Sequence, residues 1–147
     1  MKMEDCNMKQ LDELLSIYSR EIEILNEGNE CYEMMGKLLD KKCIKKNVEY
    51  LKLSEVYIYG GGYLGIQLYY AIKEWIRIIS VVDRQGAMMF DIPEITVIDM
   101  DKFKKTYQGQ SVIVTPIKHY REIIHSLEGF VPTEKMIFLS EIVGEQT

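Results

Sequence analysis

Apolar residues in the first part of the chain recur at alternating spacings of three and four, which is the period of one helix face. A first run covers residues 8–25 and stops before NEGNE (26–30), where Gly28 can take the left-handed conformation that ends a helix. A second run covers residues 31–44. We therefore predict an N-terminal helical hairpin over residues 1–52. Its apolar positions are Met8, Leu11, Leu15, Tyr18, Ile22 and Leu25 in the first helix and Met34, Met35, Leu38 and Leu39 in the second.

From Ser54 onward the pattern changes to short β-branched and aromatic runs that alternate with helical patterns. Several of these runs are apolar almost throughout, as parallel strands buried on both faces require. The predicted strands are 55–60, 76–83, 94–99, 111–115 and 135–140. The predicted helices are 63–74, 101–107 with Asp99 or Asp101 as its cap, and a helix opened by Pro116 that continues to Leu127. This alternation predicts an α/β fold with right-handed crossovers. We expect a Rossmann-like, five-stranded parallel sheet of order 3-2-1-4-5 over residues 53–147.

The segment VYIYGGGYLGIQLYYAIKEW (56–75) contains the one glycine motif of the chain, G-x-G-x-x-G at Gly60, Gly62 and Gly65. The motif follows a predicted strand and opens a predicted helix, which is the context that gives it meaning. The first glycine permits a tight turn, the second lets a pyrophosphate approach the backbone, and the third lets the helix pack closely on the sheet. The N–H groups at the helix start, together with the helix dipole, favour a phosphate there.

The second predicted strand ends in Asp83, eighteen positions after Gly65, where a carboxylate can accept hydrogen bonds from a ribose. The same carboxylate would repel a 2′-phosphate, so we expect NAD rather than NADP, although Arg84 could pair with such a phosphate. A strand–helix turn without any ligand is the alternative. An S-adenosylmethionine site is less favoured, because such sites usually have an acid in the strand before the glycines, where this chain has Tyr57 and Tyr59.

Residues 54–143 resemble the small Rossmann-type domains of bacterial surface-polysaccharide biosynthesis. Two groups are similar: the NAD-binding domain that precedes the catalytic part of membrane-linked nucleotide-sugar dehydratases, and the N-terminal nucleotide-sugar-binding domain of sugar acyltransferases. The shared features are the glycine turn, the strand ending in an acid, the IPEI segment before a short helix, and the VIVTP strand before the next helix. The segment DRQGAMMFDIPEI (83–95) is shorter than its counterpart in those domains.

The resemblance implies that NAD or a nucleotide-sugar binds with its phosphates on the glycine turn and its nucleoside near Asp83 and Arg84. It also implies that Thr115 and Pro116 line the floor of the site. From its position after VIVTP, the imidazole of His119 could donate to a phosphate or act as a base, or it could be a surface histidine without a role. The candidate binding residues are Gly60, Gly61, Gly62, Tyr63, Leu64, Gly65, Asp83, Arg84, Thr115, Pro116 and His119.

Catalytic groups are harder to assign than binding groups. A Tyr-x-x-x-Lys pair, Tyr69 and Lys73, lies in the helix directly after the glycine turn. In short-chain dehydrogenases that couple belongs on a later helix facing the nicotinamide, so we interpret this one as chance. Hydride transfer also needs a second body that positions the substrate, and we expect no substrate domain after the last strand.

We therefore predict a nucleotide-binding or nucleotide-sugar-binding module that is not catalytic alone and is linked to surface-polysaccharide or cell-envelope sugar metabolism. One alternative is a small NAD-dependent oxidoreductase or epimerase-like enzyme whose site closes across a dimer. Another is a degenerate Rossmann scaffold whose hairpin recruits a partner enzyme.

The hairpin itself must pack on something, because two to three heptads are too few for a self-sufficient coiled coil. It could pack on its own sheet domain or on a second copy of the chain. A five-stranded sheet is already covered by its crossover helices, and monomers rarely leave a large apolar patch in water. We therefore expect a homodimer through the N-terminal helices.

Composition limits the remaining partners. The 147 residues are 47% hydrophobic and 28% charged, as in an ordinary globular domain, and the net charge of -5 argues against a nucleic-acid partner. We interpret the basic cluster KKCIKK (41–46) as a solvated helix end where the dipole favours lysines, with a polyanion site as the alternative. No apolar run is long enough to cross a membrane, and residues 1–10 do not have the pattern of a secretory signal.

The cysteines and histidines predict neither disulfides nor a metal site. The three cysteines are odd in number and form no CxxC pair, which fits free thiols in a reducing cytoplasm. The two histidines, His119 and His125, are six positions apart and would point to different faces of a helix.

Overall fold

The computed structural model describes residues 10–15, 33–86, 92–116 and 120–144. Its centre is a five-stranded, all-parallel sheet of order β3-β2-β1-β4-β5, which confirms the predicted fold class and strand order. The strands are β1 Glu55–Tyr59, β2 Arg77–Val82, β3 Val97–Ile98, β4 Ser111–Val114 and β5 Met136–Phe138. All five lie within or close to the predicted runs, and β3 is shorter than its predicted six residues.

Five helices with described bounds surround the sheet. They are α1 Lys41–Tyr50, α2 Tyr63–Ile72, α3 Met100–Thr106, α4 Tyr120–Leu127 and α5 Leu139–Val143. Residues 10–15 and 33–37 are also helical, and Thr133–Lys135 form a 3-10 turn before β5. The cap of α3 is Asp99, whose side chain accepts a hydrogen bond from the Lys102 N–H at 2.9 Å. Helix α5 was not predicted, because its first residues were assigned to the last strand.

The central strand β1 is buried on both faces and separates two hydrophobic cores. Val56 and Ile58 point to one core, and Tyr57 and Tyr59 point to the other, as the two-residue period of a strand requires. Helices α1, α2 and α5 contribute to the first core, and α3 and α4 contribute to the second. The sheet is thus covered on both sides, which explains the near-continuous apolar strands.

The predicted helix over 31–44 is wrong in its bounds. The helix of residues 33–37 ends, a turn follows, and α1 begins at Lys41 with Asp40 as its N-cap, whose Oδ1 accepts from the Cys43 N–H at 3.2 Å. An uninterrupted helical pattern hid this break, because the capping side chain lies within the run. The cluster KKCIKK consequently occupies the first two turns of a helix. The expectation that the helix dipole favours these lysines is therefore wrong, because the N-terminal end of a helix disfavours cations.

The second predicted hairpin helix packs on its own sheet domain. Leu38 is buried, and Met34 and Met35 pack against the first core, where the Met35 carbonyl accepts a hydrogen bond from Gln67 Nε2 at 3.2 Å. Leu39 is 74% exposed, so these apolar residues do not form a single face. Of the first predicted helix, only residues 10–15 are described; Met8, Tyr18, Ile22, Leu25 and Gly28 lie outside the described residues.

Helix α1 is fastened to α5 by a buried amide. The Asn47 side chain is 1% exposed, and its Nδ2 donates to the carbonyls of Ile142 and Gly144, at 2.7 Å each. These carbonyls lie at the C-terminal end of α5, where a helix has no partners of its own for its last carbonyls. Ile44 and Val48 bury their side chains in the same core as Ile142. The end of α5 therefore depends on a helix about a hundred positions earlier in the chain.

The described part of the chain was also compared with the requirements of a membrane-spanning helix and of a metal site. Within it, no helix combines the length and the apolar character that crossing a membrane demands. No three acidic, histidine or cysteine side chains cluster there in a way that could bind a metal ion. Cys43 is a free, half-buried thiol in the same part.

Candidate functional site

The glycine turn lies at the carboxyl end of β1, in the middle of the sheet. The helix that follows β1 is α2, which packs on the first core, whereas the helix that follows the neighbouring strand β4 is α4, which packs on the second. The two connections therefore leave adjacent strands towards opposite faces. Such a switch point opens a crevice at the carboxyl ends of the strands, where open α/β sheets bind their ligands. The predicted motif is thus placed at the position where a ligand is expected.

Two of the three motif glycines are required by contacts within the fold. Gly60 has φ +114°, and a Cβ there would lie 2.4 Å from Thr115 Oγ1 and 3.0 Å from Pro116 Cδ. A Cβ on Gly65 would lie 1.9 Å from the Gly60 carbonyl oxygen, so any side chain would push α2 away from the turn. Both glycines can therefore be explained by packing, without a ligand.

Gly62 is different, because no contact in the described fold requires a glycine there. Its φ of -83° and ψ of -165° are accessible to any residue, and a Cβ would have no heavy atom of the described residues within 4 Å, apart from those of its chain neighbours. It is the N-cap of α2 and supplies no side-chain acceptor to the first turn, where serine, threonine or aspartate would be the stabilising choice.

Asp83 holds the glycine turn from the neighbouring strand. Its Oδ2 accepts a hydrogen bond from the Gly61 N–H and its Oδ1 accepts one from the Gln85 N–H, at 2.9 Å each. The Gly60 N–H is also used within the fold, since it donates to the Val82 carbonyl at 2.8 Å. The N–H groups of Gly60 and Gly61 are therefore bonded within the fold and shape the turn.

Thr115 and Pro116 form the wall of the turn on the β4 side. Thr115 is 2% exposed, and its hydroxyl donates to the Tyr59 carbonyl at 2.8 Å, while its N–H donates to the same carbonyl at 3.0 Å. Pro116 lies against Gly60. The structure thus brings these two predicted residues together with the glycine turn.

The other predicted site residues occupy different environments. Tyr63 is 54% exposed at the start of α2, and Arg84 is exposed next to Asp83. Leu64 is buried in the first core, so only its backbone can face the crevice. His119 lies outside the described residues, as do its neighbours 117 and 118, which directly follow the crevice wall.

Tyr59 belongs to this site, although the motif did not point to it. Its side chain is 6% exposed at the end of β1, and burial raises the pKa of its hydroxyl. The negative charge of Asp83 raises that pKa further, whereas Arg84 lowers it. Gln85 was missed as well. The spacing of Asp83 and Gly86 is typical of a β-turn in which an aspartate side chain binds a nearby N–H, and it could have indicated this contact.

The Tyr-x-x-x-Lys pair lies on α2 and contacts side chains outside the turn. The buried Tyr69 hydroxyl bonds to Glu94 at 3.5 Å, and burial followed by the Glu94 charge raises the pKa of Tyr69. The Lys73 ammonium lies 5.8 Å from the centre of the Tyr69 ring and 5.1 Å from that of Tyr70. These contacts engage both side chains in packing.

Comparison with known proteins adds no further information: neither a family model, nor a curated protein, nor a solved structure matches the chain.

Proposed function

We propose that this protein binds a nucleotide through its phosphate groups at the glycine turn, with NAD or a nucleotide-sugar as the ligand. The observation that carries the proposal is Gly62. Gly60 and Gly65 are explained by contacts within the fold, whereas Gly62 combines an ordinary backbone conformation with open space around its missing side chain. A glycine at that position benefits a ligand that must approach the backbone.

The start of α2 supports a phosphate rather than a neutral group. The helix has ten residues, so its dipole places partial positive charge at the N-terminus beside Gly62. The cap residue brings no side-chain oxygen that would compete with a ligand oxygen for the first-turn N–H groups. Anions bind at helix starts of this kind because N–H donors and dipole act together.

Asp83 and Arg84 suggest the orientation of the nucleoside. Each carboxylate oxygen of Asp83 accepts one backbone hydrogen bond and keeps a second lone pair, which can accept from a ribose hydroxyl. Such a ribose would lie at the end of β2 while the phosphates lie on α2. The negative charge favours a ribose with free hydroxyls, hence NAD over NADP.

We propose binding and not a reaction by this chain alone. The polar side chains beside the turn are engaged with backbone: Asp83 accepts from Gly61 and Gln85, and Thr115 donates to the Tyr59 carbonyl. Because these hydrogen bonds are already made, the two side chains suit the binding of a ligand better than the transfer of a proton. A role in surface-polysaccharide or cell-envelope sugar metabolism is proposed on the sequence resemblance alone.

The proposal is tested by thermal unfolding with NAD, NADP, UDP-sugars, coenzyme A and S-adenosylmethionine. A ligand at one hundred times its dissociation constant stabilises the native state by about 2.7 kcal/mol. We expect a rise in melting temperature with NAD or a UDP-sugar. If none of these ligands changes the melting temperature, the glycine turn serves packing only.

Two glycine variants locate the binding. Gly62→Val adds a branched side chain where no other described residue, apart from the chain neighbours, has an atom within 4 Å of the Cβ position, so we expect a folded protein that has lost nucleotide binding. Gly65→Ala is the matched comparison: its Cβ would collide with the Gly60 carbonyl, so we expect it to lose folding stability first. Unchanged affinity in folded Gly62→Val would place the ligand elsewhere.

A further inference from the structure

The chain's charges are divided in an uneven way between its N-terminal part and the rest. Residues 1–30 contain 8 of the 23 acidic residues and 3 of the 18 basic ones, so they hold the whole net charge of -5. The remaining residues contain 15 of each sign and are neutral as a group. Within that neutral part, however, α1 concentrates positive charge, with four lysines and one glutamate in ten residues.

The α1 lysines begin at the N-terminal end of the helix, where the dipole disfavours positive charge. Lys41 and Lys42 lie in the first turn, at the positive end of the dipole, and each faces a further lysine four positions on. All four are exposed, and none of them forms an ion pair within the part of the chain that the structure describes. This arrangement is unfavourable for the isolated helix and becomes favourable when an anionic surface lies against it.

A groove of about 900 Å³ lies along α1. Its described lining extends from the cap Asp40 to Tyr50 and includes Lys42, Lys45 and Lys46 together with the carboxylates of Asp40 and Glu49. Tyr50 is 71% exposed and offers apolar surface at one end, and the aliphatic stems of the lysines offer more along the groove. A ligand for this groove therefore needs an apolar stripe flanked by carboxylates.

The helical residues 10–15 have that composition. Leu11, Leu14 and Leu15 have the spacing of one helix face, and they are 56%, 49% and 55% exposed. Asp12 and Glu13 are also exposed beside them. The structure of one chain therefore contains an uncovered acidic, leucine-bearing helix and an open, basic groove.

We propose that the groove along α1 is the docking surface for the acidic helix of residues 10–15 from a second copy of this chain. In a two-fold dimer each copy supplies one helix and one groove, so the contact occurs twice and closes. The apolar stripe contributes burial, and the opposite charges set the partner and the direction of docking.

Charge reversal tests the proposal. One variant carries Lys42→Glu, Lys45→Glu and Lys46→Glu in the groove, and the other carries Asp12→Lys and Glu13→Lys in the helix. We expect each variant alone to lose self-association by at least about tenfold in dissociation constant, measured by sedimentation equilibrium. The control variant Lys102→Glu, Lys105→Glu and Lys135→Glu reverses three exposed lysines away from α1 and should associate like the parent.

Mixing the two reversed variants is the decisive step. In the mixed dimer both contacts again join opposite charges, so we expect a heterodimer by native mass spectrometry with one variant isotopically labelled. The helix variant changes only exposed residues, so its result stands even where the groove variant folds poorly. A parent that is monomeric at tens of micromolar, a mixture that forms no heterodimer, or an equal loss in the control would overturn the proposal. Binding of the groove to a short polyphosphate with a monomeric parent would overturn it as well.

Discussion

The carboxylate of Asp83 receives backbone N–H groups from Gly61 and Gln85, so a single side chain joins the glycine turn to the end of β2. Removing it acts on two quantities at once. The unfolding free energy falls because two charge-assisted hydrogen bonds are lost, and under the proposed function ligand affinity falls as well because the ribose acceptor is lost. An experiment on this residue must therefore separate stability from binding.

We predict that Asp83→Ala lowers the unfolding free energy by about 1–3 kcal/mol and weakens NAD more than NADP. The asymmetry arises because the ribose bonds are lost in one case and the repulsion of the 2′-phosphate is relieved in the other. The measurements are urea unfolding and calorimetric titration of the folded variant.

Asp99→Ala is the matched control, since Asp99 also follows a strand and accepts a backbone N–H, that of Lys102. It should cost about 1 kcal/mol as a lost helix cap and leave nucleotide affinity unchanged. Equal losses for NAD and NADP in Asp83→Ala would remove this carboxylate from the ribose contact.

Tyr59 makes the fold sensitive to alkaline pH. Burial, followed by the Asp83 charge, raises the pKa of its hydroxyl above 10.0, so the native state holds the proton more tightly than the unfolded chain. The resulting stability is complete below the unfolded pKa and is lost as the pH rises through the folded pKa. We predict that Tyr59→Phe loses less stability than the parent as the pH rises above about 10, measured by urea midpoints.

The parent supplies the comparison for that measurement. If Tyr59→Phe follows the parent curve across the same pH range, the Tyr59 hydroxyl titrates alike in the folded and unfolded chain.

At the scale of elements, the contact between α1 and α5 joins the predicted hairpin to the sheet domain through the Asn47 side chain. We predict that Asn47→Ala lowers the unfolding free energy by about 2–4 kcal/mol, because two buried carbonyls lose their donor. Cys43→Ala is the comparison one turn earlier, since its sulfur makes long contacts of 3.7 Å, to the carbonyls of Val143 and Gly144 and to Asn47 Nδ2. Urea unfolding compares the two, and similar small losses would mean that Asn47 does not hold α5.

An element could be predicted from sequence when residues within the element itself determine its structure. The strands of the sheet were predictable because each is a short apolar run, and their order is that of a Rossmann-type sheet with the glycine turn after the first strand. The break before α1 was not, since Leu38 is turned into the core by tertiary packing while the local pattern continues as a helix. Helix α5 has five residues, too few to show a helical period.

The candidate site also has features that could be predicted from sequence and features that could not. The glycine turn and Asp83 were predictable, because a motif and a strand end fix their positions along the chain. The bonds of Asp83 to Gly61 and of Thr115 to Tyr59 were not, because they depend on the register between neighbouring strands. Only the coordinates separate Gly62, with its open surroundings, from the two glycines that packing requires.

For the whole molecule, the exposed leucines of residues 10–15 predict self-association. We predict that Leu11→Lys with Leu15→Lys gives a folded monomer, with a melting temperature close to that of the dissociated parent, because both side chains are already more than half exposed. Light scattering over a concentration series measures the change. Tyr70→Ser, which alters an exposed aromatic side chain on α2, should leave the parent's oligomeric state unchanged.

The hydrogen bonds of the Asn47 amide also bear on the order in which parts of the chain fold during synthesis. Its two acceptors lie 95 and 97 positions later in the chain, and translation proceeds at roughly 5–20 residues per second. For roughly 5–20 s, therefore, a growing polypeptide presents α1 with Ile44 and Val48 lacking their contacts with α5. Chaperones bind such exposed apolar stripes on nascent chains. Emergence of α5 covers the stripe and removes that binding site.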